Sequence, residues 1–151
     1  LDILAAISHY CHYSERCHAD VRNKLYSLGC HKTEVEEYIS KMIEVDLLNE
    51  ERYARAFAGG KFRMLKWGRQ KIIQQLKLKQ VSDYCIKKAL KEIDEDDYRS
   101  TLKKLALTKW KSLPKKEHHL VRKKKVQQYL LQKGFEGARV IEIINETIKS
   151  D

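Results

Sequence analysis

The chain has 151 residues, of which 34% are charged and 42% hydrophobic, with a single proline and six glycines. It is too apolar to stay disordered, and its many Lys, Glu, Leu and Ala residues with so few breakers favour long helices, because those side chains lose little rotamer freedom there. The formal net charge is +10, and no apolar run approaches the roughly 20 residues that a membrane span needs, so composition points away from the bilayer and toward a polyanionic partner.

Apolar residues recur at helical spacing almost throughout, and nothing alternates over a strand length, so the sequence predicts an all-α fold. Ile3, Leu4, Ile7 and Tyr10 open a first helix. Val21, Leu25 and Leu28 stripe a second, which Gly29 stops as a C′ residue. Val35, Tyr38, Ile39 and Met42 mark a third, with Thr33 as its expected cap. Asn49 caps a fourth, which carries Tyr53, Ala56 and Phe57 on one face. Two glycines in "GGKFR" (59–63) are expected to weaken the end of that helix.

The pattern then restarts. Ile72 and Leu76 match Val21 and Leu25 at a shift of 51, and Ile86, Leu90 and Ile93 match Val35, Ile39 and Met42. Asp94 stands where Asn49 stood, ahead of Tyr98 and Leu102. A third copy follows: Val126, Leu130 and Gly134 match Val21, Leu25 and Gly29 at a shift of 105, with Val140 and Ile144 behind them. It runs out near Ile148. Stripe, stop and cap recur in order, which chance likeness among amphipathic helices does not explain.

The expectation is therefore three tandem three-helix repeats, at 1–47, 48–93 and 94–151, forming an elongated, curved array. A unit of about 50 residues buries little apolar surface alone, so neighbours should share a core. The segment "WKSLPKKEHHLVRKKK" (110–125) is read as a loose joint, centred near 112–118, because Pro114 breaks the helix amid crowded charge.

Residues that carry chemistry are few. No phosphate-cradling, dinucleotide or nucleophile-elbow motif is present, and the acidic pairs Glu36/Glu37 and Asp96/Asp97 read as helix surface or first-turn dipole partners. No enzyme activity and no cofactor are expected. The N-terminal third does gather His9, Cys11, His12, Cys17, His18, Cys30 and His31, but Cys11 and Cys17 fall on different helix faces and Cys30 and His31 diverge. Their spacing does not suit zinc. Cys17 near a helix N-terminus is either a thiol of lowered pKa or, the favoured reading, a small buried filler. With no Cys-x-x-Cys pair and no signal peptide, a reduced, cytoplasmic chain is expected. The sequence opens on Leu1 rather than Met, as expected of a trimmed chain.

The basic segments are the strongest signal. Residues 61–91 carry ten Lys/Arg against one acid, and residues 99–134 carry twelve against one. Lys61, Arg63, Lys66, Arg69 and Lys71 flank Trp67 and Gly68. Lys77, Lys79, Lys87, Lys88 and Lys91 follow, then Lys103, Lys104, Lys109, Lys111, Lys115 and Lys116, and finally Arg122, Lys123, Lys124 and Lys125. Such a footprint attracts phosphates, with binding that weakens steeply in salt. Trp67 and Trp110 are placed to stack on bases or, the favoured reading, to pack between repeats.

Two stretches, "DVRNKLYSLGC" (20–30) and "VEEYISKMIEVDLLNEERYARAFAGGKFRMLKWGRQKIIQQLKLKQV" (35–81), resemble the bacterial RecX family, regulators of the RecA recombinase. The match is most specific in Leu47, Leu48, Asn49, Glu50, Glu51, Arg52, Tyr53 and Ala54, followed by Gly68, Ile72 and Leu76. It extends over about residues 5–148. Cys17 departs from it by standing where the family often has a capping Ser, and Gln80-Val81 by replacing a Gly-Val or Gly-Phe pair.

The resemblance implies an all-helical modulator that binds RecA, lies along the groove of the RecA–DNA filament, and suppresses ATP hydrolysis, strand exchange and coprotease activity. The basic second and third repeats would approach DNA phosphates or acidic filament loops, and the acidic first repeat would meet basic recombinase surfaces. A monomer is expected. Two other readings stand beside this one: a general nucleic-acid-binding helical module without a recombinase partner, and a helical scaffold for acidic proteins.

Overall fold

A computed structural model describes residues 1–149. The described residues form nine helices and no strand: α1 (Ile3–Tyr13), α2 (His18–Ser27), α3 (Lys32–Glu44), α4 (Glu50–Leu65), α5 (Arg69–Leu78), α6 (Asp83–Leu90), α7 (Glu95–Ser112), α8 (His119–Gln132) and α9 (Gly137–Thr147).

The recurring helix ending is a capping motif. Gly29, Gln80 and Gly134, just past α2, α5 and α8, have φ of 92°, 62° and 100°. Their amides donate to the carbonyls of Tyr26, Lys77 and Leu131 at 3.0, 2.9 and 3.0 Å. The next amides, of Cys30, Val81 and Phe135, reach back to Leu25, Leu76 and Leu130 at 3.2, 3.1 and 3.2 Å. This paired bonding satisfies helix-end carbonyls that otherwise lack partners. Cys30, Val81 and Phe135 are buried, as are the three leucines they reach back to. Each ending therefore seats an apolar residue in the core as it turns the chain.

Helix starts follow the sequence with one shift. Asn49 and Asp94 cap α4 and α7, accepting from the amides of Arg52 and Asp97 at 3.0 Å each. Thr33 does not cap α3. The Glu34 carboxylate instead accepts from the His31 amide at 2.9 Å, which starts the helix earlier and leaves Thr33 in its first turn.

One soft point in the sequence is helical throughout, and the other only at its edges. Gly59 and Gly60 lie inside α4, which continues to Leu65. Buried Phe62 lies 5.8 Å from the Tyr98 ring, and burial of its side chain contributes about 1.5–3 kcal/mol against the roughly 0.5–1 kcal/mol lost at each helical glycine. Likewise Arg122–Lys125 belong to α8, whose N-cap residue is His118; only residues 113–118, with Pro114 among them, connect α7 to α8.

Contacts cluster into two compact units. Unit 1 is Leu1–Gly59 with Gln75–Glu92; unit 2 is Gly60–Gln74 with Ile93–Asp151. In unit 1, α1, α2 and α3 pack together over Ile7, Cys11, Val21, Leu25, Val35, Ile39, Met42 and Leu48. In unit 2, α7, α8 and α9 pack together, and the buried residues include Leu102, Val126, Leu130, Val140, Ile143 and Ile148. Tyr98 stands between Phe62 and Phe135, 5.8 and 5.1 Å from their ring centroids.

Candidate nucleic-acid interface

The turn from α4 to α5 lies in unit 2 and carries the first basic segment. Lys66 reverses the chain with φ 59°, and Trp67 and Gly68 follow. Gly68 lies directly against Gly134. A Cβ on Gly68 would overlap the Gly134 carbonyl group and the Phe135 nitrogen, and one on Gly134 would overlap Lys71. The contact is bonded as well as close: the Gly68 amide donates to Lys133 O at 2.7 Å and the Gln70 amide to Gly134 O at 2.9 Å. The positive end of α5 thus rests on the negative end of α8, and both ends find partners there. This helix N-terminus is consequently not free to receive a phosphate.

Cations gather round two rings at this corner. The Lys61 and Lys71 ammonium groups lie 5.1 and 4.7 Å from the Trp67 ring centroid. Those of Lys109 and Lys133 lie 5.1 and 6.0 Å from the Tyr129 centroid. Lys133 also donates to Leu65 O at 2.9 Å, and Lys66 to Arg63 O at 2.6 Å. The aromatic faces hold the lysine heads in place, which reduces the entropy a phosphate contact must overcome. Trp67 is half-buried and engaged by lysines, in keeping with packing rather than base stacking. Trp110 behaves likewise: the Arg122 guanidinium lies 3.8 Å from its ring centroid and donates to its carbonyl at 3.0 Å.

The expected contact residues are divided between the two units. Lys77, Lys79, Lys87 and Lys88 belong to unit 1; Lys61, Arg63, Lys66, Arg69, Lys71, Lys115, Lys116 and Arg122–Lys125 belong to unit 2. Several have internal roles. Arg122 is buried. Lys79 pairs with Asp20 at 2.9 Å and Lys125 with Glu117 at 2.7 Å. Arg69 is largely covered: it pairs with Glu95 at 2.8 Å and Glu136 at 3.6 Å and lies 3.8 Å from the Tyr98 ring centroid. Arg63, Lys66, Lys77, Lys87, Lys115, Lys116 and Lys124 are exposed. The sequence reading missed Tyr129 and Lys133, although their i,i+4 spacing on one face of α8 was a usable signal.

The acidic run at 92–98 acts within the fold. Glu95 accepts hydrogen bonds from Arg69 and Arg139, which hold its carboxyl below the ordinary value. The Tyr98 hydroxyl accepts from the Arg69 amide at 2.9 Å and donates to Glu136; burial, then that carboxylate, pushes its pKa up.

The cysteine question resolves toward packing. Cys17 is fully buried ahead of α2, and burial pushes its thiol up to about 11, against the lowering that a helix N-terminus would give. Burial raises Cys11 and Cys30 too. Among the described residues no three metal-type side chains converge, and no helix is long and apolar enough to cross a membrane.

Models of two RecX domains match the chain: the second three-helix domain over residues 49–90 and the third over 95–144. A regulatory protein RecX from Clostridium perfringens (strain 13 / Type A) is 34% identical over 78% of this chain and 55% of its own length. Another from Clostridium tetani (strain Massachusetts / E88) is 27% identical over 91% and 63%. The chain spans about half the length of the first of these curated relatives. The crystal structure of RecX from Lactobacillus salivarius superposes with a TM-score of 0.86 at 26% identity, covering 96% of this chain and 94% of that one. With two successive RecX domains matched along its sequence and a RecX crystal structure followed over nearly its full length, the chain belongs to the RecX family.

Proposed function

We propose that this chain is a cytoplasmic, monomeric regulator without catalytic chemistry of its own. It binds the RecA recombinase and its DNA filament and restrains ATP hydrolysis, strand exchange and coprotease activity, modulating recombination and DNA repair. Its three repeats are taken as 1–47, 48–93 and 94–151. The chemistry belongs to the recombinase; this chain supplies shape and charge. The observation that carries the reading is the corner of unit 2 where Lys61, Lys71, Lys109 and Lys133 surround Trp67 and Tyr129. Ammonium groups fixed on aromatic faces suit the backbone of any polynucleotide, as a filament regulator indifferent to sequence requires.

The deciding experiment is the DNA-dependent ATPase of the host recombinase. Inhibition is expected at ratios well below one chain per recombinase subunit. Inhibition only once the DNA is fully coated supports the second reading, a general nucleic-acid-binding module, which the same lysine corner favours. Replacing Lys61, Lys66 and Lys71 with alanine is expected to flatten the salt dependence of DNA binding by up to about 0.9 in log–log slope per lysine. An unchanged slope removes the corner from the interface.

A further inference from the structure

A cationic, aromatic cleft also lies in unit 1, although residues 1–47 carry eight acids against five Lys/Arg. His9, Tyr10 and Tyr13 line it from α1, Arg16 from the connection to α2, and Lys24 from α2 with Leu28 just past its end; its volume is about 320 Å³.

Tyr10 packs against the hydrophobic core of unit 1, which fixes its ring. The Arg16 guanidinium lies over that ring, 3.8 Å from its centroid, and its Nε donates to Tyr10 O at 3.0 Å. With Nε committed to the backbone, the two terminal nitrogens carry the four remaining N–H donors. The Lys24 ammonium approaches the same ring from α2, 5.5 Å from its centroid. Ring and carbonyl hold the guanidinium in one orientation before a ligand arrives, which lowers the entropy cost of binding an anion. The acids next to this site in the sequence are held by other cations: Glu15 pairs with Arg52 at 2.6 Å and Asp20 with Lys79 at 2.9 Å. Tyr13 adds a different element. It ends α1 and is 79% exposed, with its ring 5.9 Å from the Arg16 guanidinium and 6.5 Å from the His9 ring.

We infer that this cleft binds one unpaired nucleotide of a single-stranded polynucleotide, its base stacked on Tyr13 and its phosphate on Arg16 and Lys24. An open aromatic face beside two cations matches a base and the phosphate attached to it. A base inside a duplex keeps both faces covered by its neighbours and has none to offer Tyr13, and an acidic peptide would use the cations but leave the ring idle. The lysine corner of unit 2 answers to backbone charge, which duplex and single strand share. The cleft is built from unit 1 alone, so it stands whether or not that corner or a recombinase filament is engaged.

The test uses the full chain, a fluorescein-labelled oligothymidylate of about 12 nucleotides and a labelled hairpin duplex, read by fluorescence anisotropy. Tyr13→Ala is expected to weaken oligothymidylate binding about ten-fold while moving hairpin binding less than about two-fold, and Tyr13→Phe is expected to keep the native affinity. Arg16→Ala is expected to flatten the salt dependence of oligothymidylate binding by about 0.7 in log–log slope, the share of one phosphate on a single strand, whereas Tyr13→Ala leaves that slope unchanged. Lys24→Ala is a second cation variant, and circular dichroism melts check that each variant is folded. The proposal is overturned if oligothymidylate binding survives both Tyr13→Ala and Arg16→Ala, or if Tyr13→Ala weakens the hairpin equally. Free thymidine monophosphate that displaces the oligothymidylate at micromolar concentration overturns it in favour of a free nucleotide. A labelled oligoglutamate that loses binding in Tyr13→Ala, while oligothymidylate does not, overturns it in favour of an acidic peptide.

Discussion

The two units start the middle helix of a repeat in different ways. Ahead of α2 stands Cys17, whose amide donates to Asp20 at 3.3 Å, while the His18 amide donates to Glu50 at 3.1 Å. Ahead of α5 the matching residue is Gly68, whose amide goes to Lys133 O, while the Arg69 amide goes to the Tyr98 hydroxyl. Unit 1 satisfies its helix start with carboxylates, and there is room for a side chain at the first position. Unit 2 uses the end of another helix, backbone to backbone, and only glycine fits. Homologous helices thus solve one hydrogen-bonding problem with different tolerances to substitution.

Substitution at the glycines breaks that comparison most sharply. Gly68→Ala and Gly134→Ala each press a methyl into a neighbouring residue that cannot yield, at Gly134 with a left-handed backbone besides. A loss of about 3 kcal/mol is expected for each. Gly29 has the same left-handed backbone but open space around it, so Gly29→Ala should cost only about 1 kcal/mol. Gln80 runs the test in reverse. It occupies the left-handed position of the second copy without being glycine, and Gln80→Gly is expected to stabilise the chain by about 0.5–1 kcal/mol. Urea unfolding measures all four; equal losses at Gly29 and Gly134 would refute the claim that backbone contact, not φ, sets the larger cost.

The tyrosines come next. Tyr98→Phe removes an acceptor for the Arg69 amide and a donor to Glu136 in a buried setting, so a loss of about 1–3 kcal/mol is expected. Tyr53 holds the matching place in unit 1, but its hydroxyl meets the Cys17 thiol, a weak partner, so Tyr53→Phe should cost about 1 kcal/mol at most. If the two variants are equally destabilised, the Tyr98 network adds nothing beyond packing.

How far the sequence reveals this follows from which interactions are local. The stripe of Val21, Leu25 and Gly29, repeated at Val126, Leu130 and Gly134, records helix, buried face and stop in consecutive residues, so the all-α repeat is legible in full. Gln80 hides the second stop because its backbone conformation is set by the hydrogen bonds around it rather than by residue type. The site is less legible. Counting lysines locates basic territory but does not separate exposed Lys66 from Arg122, which Trp110 covers, or from Arg69, which Glu95 and Glu136 hold. Those pairings join residues 12 to 67 apart in the chain, and no spacing rule reports them. Lys133 is half legible: its i,i+4 spacing from Tyr129 is local, but its hydrogen bond to Leu65 O joins residues 68 apart.

The smallest expected effect separates the units by pH. Hydrogen bonds from Arg69 and Arg139 hold the Glu95 carboxyl below its ordinary value of 4.5. At Asp20 burial acts to raise the carboxyl, but hydrogen bonds from Lys79 and Cys17 outweigh it and hold it below 3.8. In each case the folded value lies below the unfolded one, so the group's stabilisation is complete above the unfolded value and is lost as pH falls through the folded one. The stability gap between the native chain and Glu95→Gln should therefore be constant near neutrality and begin to close below about pH 4.5. The gap for Asp20→Asn should hold until about pH 3.8 before closing. Both carboxylates are partly solvated, so salt should narrow each gap, and more so at Glu95, the more exposed of the two. A gap that widens as pH falls at either position would mean that the acid form, not the carboxylate, is what the fold holds there.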